Sequence, residues 1–270
     1  MRVLAIETAG TVLGVAAAEI ESGGNPWIGS PAGLIEHDTA FRHTEALVPT
    51  IRTLLEDLSW APSTLDGVLV GAGPGSFTGL RVGMAAAKGI ALAANAPVVS
   101  VDTLDAVAFT RTACEFDHSS SSAPGIVVAL IDARKKRYYA ALYRCTGPPG
   151  HRVVERISDN LDATPRELEE RIIAARTEQR DNGAHSGSGS TSWRVAGNVT
   201  LVELREFLSP EIMASAVELG VHRPTSAVDG VLRRGIPALL RGEYDDPWAG
   251  PRYLRTGDVG KPKAYPRFDG

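Results

Sequence analysis

The stretch GPGSFTGLRVGMAAAKGIALA, residues 73–93, decides how this chain is read. Three glycines within residues 73–79 follow a short apolar run, 66–72, and precede a long segment rich in Ala and Gly, so a buried strand turns straight into a helix. Backbone N–H groups at such a turn can converge on an anion at the helix start, which makes Gly73, Gly75, Ser76, Thr78, Gly79 and Arg81 a candidate phosphate loop. A Walker loop is excluded, because Leu80-Arg81 stand where Lys and Ser/Thr belong. A nucleophile elbow is excluded too, because Pro74 and Thr78 flank Ser76 where glycines are required. Within the helix the polar residues Arg81, Lys88 and Asn95 recur every seven positions, and the rest are Ala, Gly, Val, Met, Ile and Leu. A helix apolar almost all round needs a cover, either another element of its own chain or a partner that also meets the helix with apolar positions 47, 48, 51, 54, 55 and 58.

Outward from this stretch, Val3–Ile6 and Val12–Ile20 are two apolar runs split by Glu7-Thr8-Ala9-Gly10, a hairpin pattern, and 33–38 returns as a third strand. Pro49 belongs in a first turn, so the next helix is expected to begin near Val48 or to bend there. Val98–Val101 closes a β-β-β-α-β-α-β order. The second half repeats the plan: strands at 126–133 and 135–145, a third at 152–158, a helix from Pro165 to about Ala175, the strand Trp193–Gly197, and a helix over 225–241.

Composition bounds the class. The 270 residues are 43 % hydrophobic and 22 % charged, an ordinary globular balance. Two cysteines, Cys114 and Cys145, make no disulfide framework. No run approaches the roughly 20 apolar residues of a membrane helix, and the opening apolar run is too short for a signal peptide. A cytoplasmic protein is expected. The net charge of −4 hides an acidic front, with 11 acids against 5 bases in residues 1–110, which is poorly suited to gripping nucleic acid. In the tail, Arg252, Arg255, Lys261, Lys263 and Arg267 face only Asp258 and Asp269. Six scattered histidines show no i, i+4 pair, so no metal site is expected. Glu7 and Asp132 each end the first strand of a half, where residues line the cleft of an α/β sheet, and Asp132 beside Arg134 reads as a turn-capping carboxylate.

MRVLAIET, GPGSFTGLRVGMAAAKGIALA, IDARKKRYYAALY and the tail PRYLRTGDVGKP together resemble the TsaB (YeaZ) family over nearly the whole chain, with 112–124 and 177–191 as insertions. The resemblance implies an α/β, actin/Hsp70-like (ASKHA) fold of two ribonuclease-H-like lobes, each β-β-β-α-β-α. The lobes are expected at 1–110 and 111–250, followed by a basic tail at 251–270. It implies a non-catalytic subunit that pairs with the transferase TsaD, joined by the ATPase TsaE, in threonylcarbamoyl transfer to tRNA. His43-Thr44-Glu45-Ala46-Leu47 lies where TsaD carries its metal-binding His pair, and Leu47 binds no metal. The implied interface comprises Leu47, Ile51, Leu54, Leu55, Arg81, Val82, Ala86, Ile90 and Ala93, a surface that also allows a homodimer in isolation. No cofactor is expected to be tightly bound, and ATP or ADP is allowed at the junction with TsaD. The alternatives are an ATP-dependent small-molecule kinase of the same fold, for which Gly197-Asn198 is the only trace of an adenosine loop, and a metallopeptidase, for which the histidines offer no site.

Overall fold

Alternation of apolar residues with tight Gly-containing turns builds the first sheet. A computed structural model describes residues 1–21, 31–38, 42–110, 125–147, 153–181, 192–217 and 226–255. Strands β1 (Arg2–Glu7), β2 (Val12–Glu19) and β3 (Gly33–Asp38) form an antiparallel meander, and β4 (Gly67–Gly71) and β5 (Val98–Val101) add in parallel, giving the order β3-β2-β1-β4-β5. The second sheet repeats this order: β6 (Ile126–Asp132), β7 (Tyr138–Thr146) and β8 (Val153–Arg156) pair antiparallel, while β10 (Trp193–Gly197) and β11 (Ala216–Val217) add in parallel to β6. A short strand missed by the sequence reading, β9 (Leu161–Ala163), pairs with β7. The duplicated α/β plan is the actin/Hsp70-like fold of two ribonuclease-H-like lobes.

Helices α1 (His43–Asp57) and α2 (Phe77–Ala94) cover one face of the first sheet. The expected start of α1 near Val48 is corrected: it begins at His43 and Pro49 lies inside it. Residues 45 and 49 both face solvent, so water can take the carbonyl of Glu45 that a proline nitrogen cannot serve. Leu47, Ile51, Leu54 and Leu55 seal the opposite side against Leu4, Ile6 and Val15. In the second lobe α4 (Pro165–Asp181) runs past the expected end at Ala175 because Ile172 and Ala175 are followed by Gln179, buried on the same face. Two short helices, α5 (Leu201–Leu204) and α6 (Pro210–Met213), complete that outer layer around fully buried Trp193, whose Nε1 donates to the Ile212 carbonyl at 2.9 Å.

The remaining helices cross over. α3 (Thr103–Ala108) ends the first half but packs on β6, β7 and β10, whereas α7 (Val228–Leu240) ends the second half and packs on β1, β2, β4 and β5. Contiguous halves of the chain therefore do not coincide with the two packed bodies. One apolar core, including Val3, Leu69, Leu104, Val127, Tyr143, Val231 and Ile236, runs continuously between the sheets. The expected insertion at 112–124, residues 182–191 of the second insertion, and the tail residues beyond Arg255 lie outside the described residues, while 177–181 are the end of α4. Among the described residues no helix is long and apolar enough to cross a membrane.

Candidate functional site

Two features meet at the start of α2: a cleft between the lobes and the exposed side of the helix. The glycines of the 73–79 loop are needed there for close packing. A Cβ on Gly79 would lie 2.1 Å from the Thr8 carbonyl oxygen, and one on Gly75 would lie 2.5 Å from the Ala9 Cβ. Thr8 Oγ1 donates to the Gly79 carbonyl at 2.8 Å, fastening α2 to the β1–β2 turn. Three of the loop's donors are used within the chain: Gly73 N–H on Thr103 Oγ1 at 3.0 Å, Ser76 N–H on the Ala9 carbonyl at 2.8 Å, and Gly79 N–H on Ser76 Oγ at 3.3 Å. The loop is a packed turn with three of its donors used. Its glycines admit the neighbouring turn, and Ser76 caps its own helix.

Leu47, Ile51, Leu54 and Leu55 are also corrected as surface residues, since all four are spent on the core of the first lobe. His43 is buried, and its Nε2 shares a hydrogen bond of 2.8 Å with the Gly10 carbonyl. On α2, Val82, Ala86 and Ile90 are half-buried, and Ala85, Gly89, Leu92 and Ala93 are exposed. The outward side of α2 is thus apolar and made mostly of small side chains. The polar stripe read from sequence lies beside it under the C-terminal segment. Arg81 Nε donates to Tyr253 Oη at 3.0 Å while its guanidinium lies 3.8 Å from the Phe77 ring centre, and Lys88 Nζ donates to the carbonyls of Pro247 and Ala249.

That segment also reaches the second lobe. Arg252 N–H donates to the Ala72 carbonyl at 2.7 Å, and Arg255 grips Asp162 through Nε and Nη2 at 2.6 and 2.8 Å. Hydrogen bonds from Arg255, then from Arg137, hold the Asp162 carboxyl below its ordinary range despite partial burial. Opposite this clasp, Asp105 accepts from Tyr143 Oη at 2.7 Å and Arg156 at 2.9 Å, and Arg234 stands 3.5 Å away. The sequence reading missed both tethers. No local spacing in the sequence signalled either one.

The cleft has a volume of about 1030 Å³ and takes walls from both lobes, including Gly10, Ser76, Phe77, Asp132, Arg134, Tyr138 and Glu206, with Tyr253 and Arg255 at its edge. Asp132 lines it as expected, and its Oδ1 accepts the Arg134 N–H at 2.8 Å, a turn-capping contact. Burial, then the carboxylates of Asp132, Glu203 and Glu206, push the Tyr138 phenol upward. Glu7 is corrected: only 2 % exposed, it sits beneath the sheet surface and not on the cleft wall. Among the described residues no three His, Cys, Asp or Glu side chains are grouped to hold a metal.

Comparison with known proteins places these features. The family model described as TsaD, tRNA N6-adenosine threonylcarbamoyltransferase, matches residues 18–186. The Bacillus subtilis tRNA threonylcarbamoyladenosine biosynthesis protein TsaB is 30 % identical over 146 residues, covering 53 % of this chain and 56 % of that protein. Escherichia coli TsaB is 31 % identical over 144 residues, covering 53 % and 55 %. The chain thus spans a little over half the length of these curated relatives. The solved structure of YeaZ from Pseudomonas aeruginosa superposes with a TM-score of 0.65 at 22 % identity, over 94 % of this chain and 99 % of that one, and shares the fold.

Proposed function

The chain belongs to the family described as TsaD, tRNA N6-adenosine threonylcarbamoyltransferase, and we propose that within it this chain is of the TsaB/YeaZ type, a docking subunit in tRNA threonylcarbamoyladenosine biosynthesis. In this reading it performs no turnover alone. The outward side of α2 holds a TsaD-type transferase, a TsaE-type ATPase joins the pair, and the same surface pairs two copies when the transferase is absent. The tRNA is the substrate of the complex, and the work is cytoplasmic.

One observation carries the reading: the outward side of α2 is apolar, small and uncovered by the described residues, with Ala85, Gly89 and Ala93 exposed beside Val82, Ala86 and Ile90. Small side chains let a partner helix approach closely, and a contiguous apolar face on a protein surface marks an interface. ATP or ADP at the junction would meet Arg81 and the rim of the 73–81 loop, since three loop donors already have partners.

Reconstitution tests this. Transferase, ATPase, the donor-forming enzyme, ATP and tRNA are combined with and without the chain. Modification is expected only with it, and equal modification in its absence overturns the proposal. Gly89→Arg is the sharper probe, because nothing among the described residues lies within 4 Å of a Cβ at 89, so the variant is expected to fold. It is expected to abolish co-purification with the transferase.

A further inference from the structure

Trp248 is 93 % exposed, yet the backbone that carries it is pinned on every side. Lys88 Nζ, from α2, donates to the carbonyls on both sides of it, at Pro247 and Ala249. The Trp248 N–H donates to Asp246 Oδ1 at 2.7 Å, and the Ala249 N–H to the Asp246 carbonyl at 2.8 Å. One residue earlier, the Asp245 N–H donates to the Val98 carbonyl at 2.9 Å, tying the loop to the edge of β5. A large indole is therefore held out on a rigid bracket. One helical turn beyond Lys88, Leu92 is 85 % exposed and carries apolar surface from the small-residue side of α2 toward that bracket.

We propose that Trp248 is the anchor of the docking surface: the indole inserts into an apolar recess on the transferase-family subunit that covers α2, and Lys88 is the positioning residue that presents it. The inference rests on the docking function proposed above and names where its affinity resides. Ala85, Gly89 and Ala93 permit close approach but bring little area each, and interfaces of that kind draw affinity from a few large aromatic anchors. With its backbone already pinned, the indole has only its two side-chain torsions to fix on binding, unlike a tryptophan on a loose loop. The occupant is the subunit on α2 because the bracket is fastened to α2 itself through Lys88, so the two surfaces are continuous.

The test measures affinity of the full chain for the purified transferase of the same organism, by calorimetry, for wild type, Trp248→Ala, Trp248→Phe, Lys88→Met and Gly89→Arg. Trp248→Ala is expected to weaken binding at least tenfold with unchanged melting temperature, since the exposed indole supports nothing inside the chain. Trp248→Phe should retain part of the affinity. Lys88→Met should weaken binding and lower the fluorescence anisotropy of Trp248, with Trp27, Trp60 and Trp193 replaced by Phe as background. Affinity within twofold of wild type for Trp248→Ala, with binding lost in Gly89→Arg, overturns the anchor and leaves the docking function standing. Unchanged binding in both variants overturns the docking function itself. Loss of self-association in Trp248→Ala with the transferase bound normally assigns the anchor to a second copy and overturns the proposal as well.

Discussion

The carboxyl group of Glu7 lies directly against the Cα of Gly71, so that a β-carbon at 71 would come within 2.0 Å of Glu7 Oε2. Oε1 accepts the Ala9 N–H at 2.5 Å, and Oε2 has no hydrogen-bond partner among the described residues. Burial pushes this carboxyl up to about 7, against backbone hydrogen bonds that pull it down. The folded chain therefore prefers Glu7 protonated. Its contribution is fully present below the ordinary carboxylate value of 4.5 and is lost as pH rises through about 7. Glu7→Gln, which keeps the volume and cannot ionise, is expected to flatten that loss and to be more stable than wild type at pH 8.5 by on the order of 2–3 kcal/mol. Urea unfolding at pH 5 and pH 8.5 measures it, and equal pH slopes for the two proteins contradict the account.

Gly79 and Gly89 sit on one helix and should answer oppositely to the same change. Gly79→Ala drives a methyl to 2.1 Å from the Thr8 carbonyl, so the β1–β2 turn or α2 must shift, and a loss of about 2 kcal/mol or more is expected. Gly89→Ala meets open space and gains about 0.8–1 kcal/mol from helix propensity. Melting temperatures of the two variants should move in opposite directions.

Removing Arg255 tests the first tether. Arg255→Ala breaks two hydrogen bonds to Asp162 and one to the Ala133 carbonyl, all partly buried. Charge-assisted bonds of this kind are worth about 1.5–3 kcal/mol in total effect. Hydrogen exchange should quicken at 161–163 and at Gly73 together, because the same segment ties both lobes. The stabilisation from Asp162, whose carboxyl is held low, is present above its ordinary range and is lost as pH falls through its folded value, so the gap between wild type and variant should narrow in acid.

Asp105→Asn tests the second tether. Tyr143, fully buried with its phenol pushed up chiefly by burial and next by Asp105, would keep a partner, but Arg234 would face a neutral group and Arg156 would keep only the Asp102 carboxylate, 3.8 Å away. A cost of roughly 2–4 kcal/mol is expected, larger than for an exposed ion pair such as Arg52–Glu56. Denaturant titration of Asp105→Asn beside Arg52→Ala compares them.

Periodicity carried much of the fold. The alternating and continuous apolar runs at 3–6, 12–20, 66–72 and 126–133 have few ways to be buried, so strand identity and the doubled order follow from local pattern. Pro49 misled because proline's penalty depends on which side of a helix it faces, and residue 49 faces solvent. The four leucine and isoleucine positions of α1 were legible as a stripe, but a stripe does not say whether a sheet or a partner covers it.

The chain's sequence by itself determined two repeated lobes and a helix too apolar to stand alone, because both are properties of residues adjacent along the chain. Only the tertiary structure decided that the α1 stripe faces inward and that the glycines at 75 and 79 receive Thr8 and Ala9. It alone showed that the stripe of Arg81 and Lys88 holds the C-terminal segment, and that Trp248 stands free on it. Each of these is a pairing of residues tens to well over a hundred positions apart. Such pairings are set by how packed layers meet, and no local spacing encodes them.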